Sequence, residues 1–429
     1  MQKEQTSSSS TPQPTVSKRT FRLEKEQELR FEVSTENKVH LTLLSGTAEV
    51  FGIELPKGRH VEFQDTKLAV FTWHGCELEL EGITDLEYVA SETPMHLYLK
   101  AHYLLDCMRL QAKQQGTRGP KVVIVGPQDS GKSSLCQTLC CYAMKGGKKV
   151  LYASIDFQQG CFAIPGAIGA SSVEHCTIED GLIFENNLVF FYGHTVASEN
   201  VRLLERLVGN LSRLLDDKLE DSSLDLSHMG FIADSFGSLD GSNYDVLKQV
   251  LKEIKANVII VLGSERLYAD IQRDLSSEQV QIIQLPKSGG VVGRDQYLRR
   301  RLQEMQLRCY FYGSDGNLNP FTTVVHFDQV HIVRIGTGLH VPATALPLGA
   351  QSTLDPLQIS EVTPSTELLH SILGVSQAES EETIVDSPVY GFVHVTKVDN
   401  SKRTISLLAP SPGKLPGSFL VMGSIRWLE

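Results

Sequence analysis

Hydrophobic positions change their period several times along the chain, and each change marks a different kind of element. Residues 1–19 are polar, with Ser7 to Ser10, Pro12 and Pro14, and bury too little apolar surface to order themselves. From Thr20 to about Val89 short alternating runs appear, such as Val39-His40-Leu41-Thr42-Leu43, Val61-Glu62-Phe63 and Leu78-Glu79-Leu80. Turn signals at Ser45-Gly46, Pro56-Lys57-Gly58 and His74-Gly75 separate them, and this pattern predicts a small antiparallel β domain. Leu97 to about Gln114 reads as a helix, with Leu97, Leu104, Leu105, Met108 and Leu110 mostly on one side.

From Lys121 the strands become continuous apolar runs: Lys121–Val125, Val150–Ile155, Leu188–Tyr192, Gly230–Ala233, Val258–Leu262 and Val280–Ile283. Amphipathic stretches lie between several of them. Leu203, Leu204, Leu207, Val208, Leu211, Leu214 and Leu215 recur at helical spacing, as do Val246, Leu247, Val250, Leu251 and Ile254. Buried strands alternating with helices predict an α/β domain, a mainly parallel sheet covered on both faces. After about Gly313 short alternating strands return. Asp399-Asn400-Ser401-Lys402 predicts a hairpin turn between Val393–Val398 and Thr404–Leu408, and Gln377 to Glu382 an acidic loop. The expected divisions are a tail at 1–19, a β domain at 20–95, an α/β domain at 96–313 and a β-rich domain at 314–429.

Composition narrows the function classes. The chain has 429 residues and a formal net charge of −11, so no general basic coat serves nucleic acid, and any such contact must use a local cluster. No apolar run reaches membrane-spanning length, and the N-terminus lacks the apolar segment of a secretory signal. The eight cysteines include no C-x-x-C pair; free thiols without a signal suggest a reducing compartment, and Cys136 and Cys140 read as buried thiols of one helix face.

The strongest chemical signal is Gly126-Pro127-Gln128-Asp129-Ser130-Gly131-Lys132-Ser133. It follows a buried strand and opens a helix through Leu135, Leu139 and Tyr142, the setting a P-loop requires. Its glycines let backbone N–H groups close on phosphate oxygens, and the helix N-terminus adds a favourable dipole. Lys132 would reach the β- and γ-phosphates of ATP, and the Ser133 hydroxyl would ligate Mg²⁺. Asp156 and Asp234 stand at strand ends on the ligand face, where each could hold Mg²⁺ directly or through water. Asp156 could also take the proton of an attacking hydroxyl. Each carboxylate could equally be a turn or cap residue. Lys287-Ser288-Gly289-Gly290 leads into a run with Arg294, Arg299, Arg300, Arg301 and Arg308, which reads either as a phosphate-clamping lid or as a solvated helix face. His194, after the third strand, reads as a loop residue or a phosphate contact.

Longer strings carry a resemblance. They are Glu28-Leu29-Arg30-Phe31-Glu32-Val33, Leu44-Ser45-Gly46-Thr47-Ala48-Glu49-Val50-Phe51-Gly52, Phe71-Thr72-Trp73-His74-Gly75-Cys76, Val261-Leu262-Gly263-Ser264-Glu265-Arg266-Leu267-Tyr268, Pro286-Lys287-Ser288-Gly289-Gly290-Val291-Val292 and Tyr310-Phe311-Tyr312-Gly313. The chain resembles the Clp family of polynucleotide 5′-hydroxyl kinases and subunits of the pre-mRNA cleavage and polyadenylation factor, from about Thr20 onward. The resemblance implies an N-terminal β-sandwich, a central P-loop kinase-like domain and a C-terminal β-rich domain. It implies a nuclear subunit needed for cleavage before polyadenylation. Its partners would be a scaffold that also contacts the RNA polymerase II tail and the other processing subunits; RNA would be held weakly by this chain alone. By carry-over, Glu28 and Lys67 help hold the nucleotide, Asp129, Ser130, Gly131, Lys132, Ser133 and Ser134 hold its phosphates, and Ser133, Asp156 and Asp234 serve Mg²⁺. Asp156, Arg294 and Arg299 would be catalytic in a kinase-active member.

Departures from the family pattern cluster on the acceptor side. Active members carry Asp-Val-Gly-Gln-Gly where this chain has Asp156-Phe157-Gln158-Gln159-Gly160. They carry Asn-Thr-Cys-Gly-Trp where it has Asp234-Ser235-Phe236-Gly237-Ser238, which removes a base-stacking tryptophan, although Phe236 could stack instead. Gln128 replaces a P-loop threonine. ATP held as a structural ligand therefore fits better than ATP turned over; the alternative is an active RNA 5′-hydroxyl kinase.

Overall fold

In the computed structural model, the described residues are 17–221, 226–237, 243–276, 278–314, 316–336 and 355–428. Residues 1–16, most of the expected tail, lie outside them. The chain is α/β, and its described residues form three seven-stranded sheets. Its contacts divide into two compact units, residues 17–93 with Thr177–Gly181, and the remainder from Pro94.

The first unit is an antiparallel β-sandwich. Its strands are β1 Lys18–Leu23, β2 Glu28–Gly46, β3 Glu49–Val50, β4 Ile53–Glu54, β5 His60–Phe71, β6 Cys76–Gly82 and β7 Leu86–Ala90. Strand β1 begins two residues before Thr20, inside the expected tail, because Lys18 and Arg19 continue the antiparallel ladder opposite Glu81 and Leu80 of β6. The long β2 builds both layers. Its first part pairs with β7 and its second with β6, and the pairing to β5 shifts register between Val33 and Lys38. Leu29, Phe31, Leu41, Leu78 and Leu80 fill the interior at alternate positions, as strands with one buried face require.

The second unit opens with helix α1 Met95–Gln115. The central sheet follows as β8 Lys121–Val125, α2 Lys132–Lys145, β9 Val150–Ser154, β10 Ala167–Thr177, β11 Gly181–Phe191, α3 Val201–Glu220, β12 Phe231–Asp234, α4 Asn243–Glu253, β13 Val258–Leu262, α5 Glu265–Asp274, β14 Gln281–Leu285 and α6 Gln296–Tyr312. Its strand order is β11-β10-β9-β12-β8-β13-β14. Strands β9, β12, β8, β13 and β14 are parallel. Alternate residues point to opposite faces. Val123, Val125, Leu151, Ala153, Phe231 and Ala233 share a core with α3 and α4, while α2 packs on β8, β9 and β12 and against α1.

One edge differs from the expected pattern. Strand β10 pairs antiparallel with β9 and carries the run at Leu188–Tyr192 outward as β11, so that run is not part of the parallel core. Ala167-Ile168-Gly169-Ala170-Ser171-Ser172 has small residues and little alternation, so its strand character is hidden from a periodicity reading.

The C-terminal sheet consists of β15 Phe321–His326, β16 His331–Ile335, β17 Ile359–Glu361, β18 Ser371–Ser376, β19 Val389–Asp399, β20 Thr404–Ala409 and β21 Phe419–Arg426. The turn at 399–402 joins β19 and β20 antiparallel, as expected. The acidic segment from Gln377 differs, since Glu381–Asp386 forms a 3₁₀ turn whose Asp386 is gripped by Arg206 and Asn210 of α3. This sheet shares a core with the central domain: Ile372, Phe392, Val421 and Trp427 join Phe191 and Phe311. The Trp427 ring stacks on Phe311 of α6 at a centroid distance of 5.4 Å and 10° between planes. Trp427→Ala should cost ~3–5 kcal/mol, the range for emptying a buried aromatic site. Urea denaturation would measure it, and a loss under about 1 kcal/mol would show that the packing relaxes to close the cavity.

Candidate functional site

The phosphate loop leaves the carboxyl end of β8 at the centre of the sheet. Two backbone positions shape it. Asp129 has φ 54° and Gly131, which caps α2, has φ 89°, left-handed turns of the kind that let successive N–H groups converge on an anion. Gly126 and Gly237 are needed for close approach. A side chain on Gly126 would lie 2.6 Å from the Leu262 carbonyl, and one on Gly237 would lie 2.7 Å from Lys132 Nζ.

The charged groups converge where the strand order predicts. Strand β12 lies between β8 and β9, so Asp234 at its end faces the start of α2. The Ser133 hydroxyl donates to Asp234 Oδ2 at 2.6 Å. Lys132 is buried and donates to the Pro127 carbonyl at 3.0 Å. Ser130 Oγ and Asp234 Oδ1 are buried without a hydrogen-bond partner. Orphaned buried polar atoms of opposite character, beside a buried ammonium and a hydroxyl–carboxylate pair, fit a polyphosphate with its cation. Burial pushes the Asp234 carboxyl up to about 7; Lys132 opposes the shift and Asp156 adds to it. Burial likewise raises Asp156, against the pull of Lys132.

Asp156 follows β9 and is almost fully buried, at 3% exposure. Its Oδ1 accepts from the Gln158 backbone N–H and its Oδ2 from the Gln159 amide, both at 3.0 Å. Ser134 contributes its carbonyl to the helix side, accepting from the Thr138 hydroxyl. Glu28 and Lys67 lie in the first unit. Glu28 is buried, ion-paired with Arg30 and bonded by the Thr93 hydroxyl at 2.9 Å, while Lys67 pairs with Glu32 at 2.8 Å.

The basic run divides. Arg294 precedes α6, and its backbone N–H donates to Asp129 Oδ2 at 2.9 Å. Arg299 forks onto Asp129 Oδ2 at 2.5 Å and Gln128 Oε1 at 2.7 Å. Although burial opposes it, these donors hold the Asp129 carboxyl below its usual range. Gln303 and Gln306 reach the loop after β9, the first to the Gln158 carbonyl and the second to the Gly160 carbonyl. These two glutamines were not read from the sequence, though Arg299, Gln303 and Gln306 are spaced four and three apart, which places them on one helix face. Phe236 does not stand in for a stacking residue. It is fully buried, 5.3 Å from the Phe157 ring, and no base could reach its face. His194 binds Ser424 Oγ at 3.0 Å and so serves the contact with β21.

Family models match almost the whole described chain. The N-terminal beta-sandwich domain of polyadenylation factor matches residues 22–112, the mRNA cleavage and polyadenylation factor CLP1 P-loop matches residues 126–313, and the pre-mRNA cleavage complex II protein Clp1 matches residues 318–429. This chain belongs to the Clp1 family. Among Clp1-family relatives, the protein CLP1 homolog of Dictyostelium discoideum is 40% identical over 95% of this chain and 89% of its own. The polyribonucleotide 5′-hydroxyl-kinase Clp1 of Homo sapiens is 38% identical over 95% of this chain and 96% of its own. A solved wild-type Clp1p in complex with Pcf11p is 26% identical, with a TM-score of 0.82 over 96% of this chain and 99% of its own. A second Clp1p structure, describing an extended Pcf11p interface and a glycine-to-arginine mutant that loses ATP, has a TM-score of 0.81. The Clp1-family match covers the phosphate loop, Asp156, Asp234 and α6.

Proposed function

We propose that this chain is an ATP-holding subunit of the nuclear pre-mRNA 3′-end processing machinery, needed for endonucleolytic cleavage before polyadenylation. In this reading ATP is a structural ligand. Lys132 and the backbone of Asp129, Ser130 and Gly131 hold the phosphates, with Ser134 beside them, and the family resemblance adds Glu28 and Lys67 as nucleotide contacts. Ser133 and Asp234 would hold Mg²⁺, with Asp156 acting through water; the ion would offset the negative charge of the β- and γ-phosphates. By likeness to the solved Clp1p–Pcf11p complex, the partner is a Pcf11-type scaffold, which would also contact the RNA polymerase II tail. Other cleavage and polyadenylation subunits would join through it.

A contrast across the site carries the reading. On the nucleotide side, buried polar atoms stand ready for phosphate and cation. On the acceptor side, both Asp156 oxygens are bonded within a buried loop, and Phe236 is sealed in the core. A base that must take a hydroxyl proton needs to lie within hydrogen-bond reach of it. The name carried by the human relative favours a second reading, a 5′-hydroxyl kinase with Asp156 as base and Arg294 and Arg299 as lid.

Phosphate transfer from γ-labelled ATP to a 5′-hydroxyl RNA oligonucleotide separates the two. The expected result is unlabelled RNA from protein that releases intact ATP on denaturation. Labelled RNA that disappears in a Lys132→Ala control would instead establish the kinase.

A further inference from the structure

Gln128 and Gln158, two residues at which the chain leaves the pattern of active kinases, meet in the fold. Gln128 Nε2 donates to Gln158 Oε1 at 3.1 Å, while Gln128 Oε1 accepts from Arg299 Nη1 at 2.7 Å. Gln158 in turn donates its side-chain amide to the Thr195 carbonyl at 3.2 Å and accepts Gln303 Nε2 on its own carbonyl at 3.0 Å. Its backbone N–H is given to Asp156. Each of these four polar groups of Gln158 therefore has a partner, and the partners lie on four segments: the phosphate loop, the end of β9, the loop after β11 and α6.

We infer that Gln128 and Gln158 are positioning residues that latch the α6 lid over the phosphate loop and set how long ATP resides there. The inference rests on ATP being the resident ligand. The lid is already against the loop. Val291 Cγ2 lies 3.0 Å from where a side chain on Gly131 would begin, and Arg294 and Arg299 both bond Asp129. Moving α6 away from the loop would break the Arg299 and Gln303 bonds together. The amide at 128 is chemically specific. It accepts from Arg299 and donates to Gln158 at once, which a carboxylate cannot do. The latch also commits one guanidinium edge of Arg299 to protein acceptors, so that edge is withheld from a transferring phosphoryl group.

The test uses the full chain loaded with Mg²⁺ and a fluorescent ATP analogue, chased with unlabelled ATP. Gln128→Ala/Gln158→Ala should release the analogue roughly tenfold faster than the parent, as expected for losing several modest hydrogen bonds together. Amide hydrogen exchange at residues 295–303 should accelerate with it. Gln303→Ala, a half-buried helix change that leaves both loop glutamines in place, should speed release severalfold, by roughly the effect of one hydrogen bond. Parental release and exchange rates in the double variant would overturn the latch while leaving the ATP site intact. Failure of the parent protein to bind the analogue at all would instead overturn the ATP reading on which the latch depends.

Discussion

Lys132→Ala should strip the protein of the ATP proposed to reside on its P-loop. The ammonium is buried, has a backbone carbonyl within reach, and opposes the upward shift of both Asp156 and Asp234. Removing it takes away a charge-assisted contact to phosphate, worth about 1.5–3 kcal/mol per bond, and leaves two buried acids without their cation. Affinity should fall by roughly a hundredfold or more, since each 1.4 kcal/mol is a factor of ten. Purified variant should carry no ATP by chromatography of the denatured extract, whereas the parent should carry close to one equivalent. Thermal stability should fall as well, because a ligand present at 100 times its Kd stabilises the folded state by about 2.7 kcal/mol. Binding to a Pcf11-type scaffold should weaken with it. Stoichiometric ATP in the variant would remove Lys132 from the site; a variant that is free of ATP yet holds its scaffold normally would end the structural-ligand idea.

Asp234→Asn has effects of opposite sign on stability and on ligand binding. In the nucleotide-free fold burial raises this carboxyl to about 7, against an unfolded value near 4. Between those values the folded state binds more protons than the unfolded state, so this group's contribution to stability is fully present below about pH 4 and is lost as pH rises through 7. Asparagine keeps the Ser133 hydrogen bond without the buried charge. The nucleotide-free variant should therefore be more stable than the parent at pH 8, by on the order of 2–4 kcal/mol, and near parity at pH 4. Mg²⁺·ATP binding should weaken at least roughly tenfold, because a neutral amide offers the cation no charge. Melting curves at both pH values, with and without Mg²⁺·ATP, read both effects. A variant less stable than the parent at pH 8 without ligand would mean that Lys132 already holds Asp234 ionised.

How far the site was legible depends on how local its parts are. The phosphate loop, its flanking strand and helix, and the two strand-end carboxylates each lie within a short window, and each stands where the pattern predicts. The amphipathic spacing of α3 and the turn at 399–402 were equally plain. In such windows the period of apolar residues states which face is buried, and burial is what secondary structure satisfies. Strand β10 escaped because small residues make no alternation. Phe236 kept its aromatic character in the sequence but not its exposure, which the packing of Phe157 against it removed.

The rest was decided by contacts between distant segments. Gln128 and Gln158 are 30 positions apart, and Gln128 and Arg299 are 171 apart. As separate letters the two glutamines read only as losses from an active kinase; folded, they join the phosphate loop to its lid. Trp427 likewise reads as a terminal residue until the chain returns it to the face of Phe311. Local periodicity and motif spacing encode the family, the order of the sheets and the position of the P-loop at the end of β8. Which polar side chains meet across the site, and so whether the carboxylates and arginines face an acceptor or one another, only the tertiary structure decided. A side chain's hydrogen-bond partner is set by how whole elements pack and not by its neighbours along the chain.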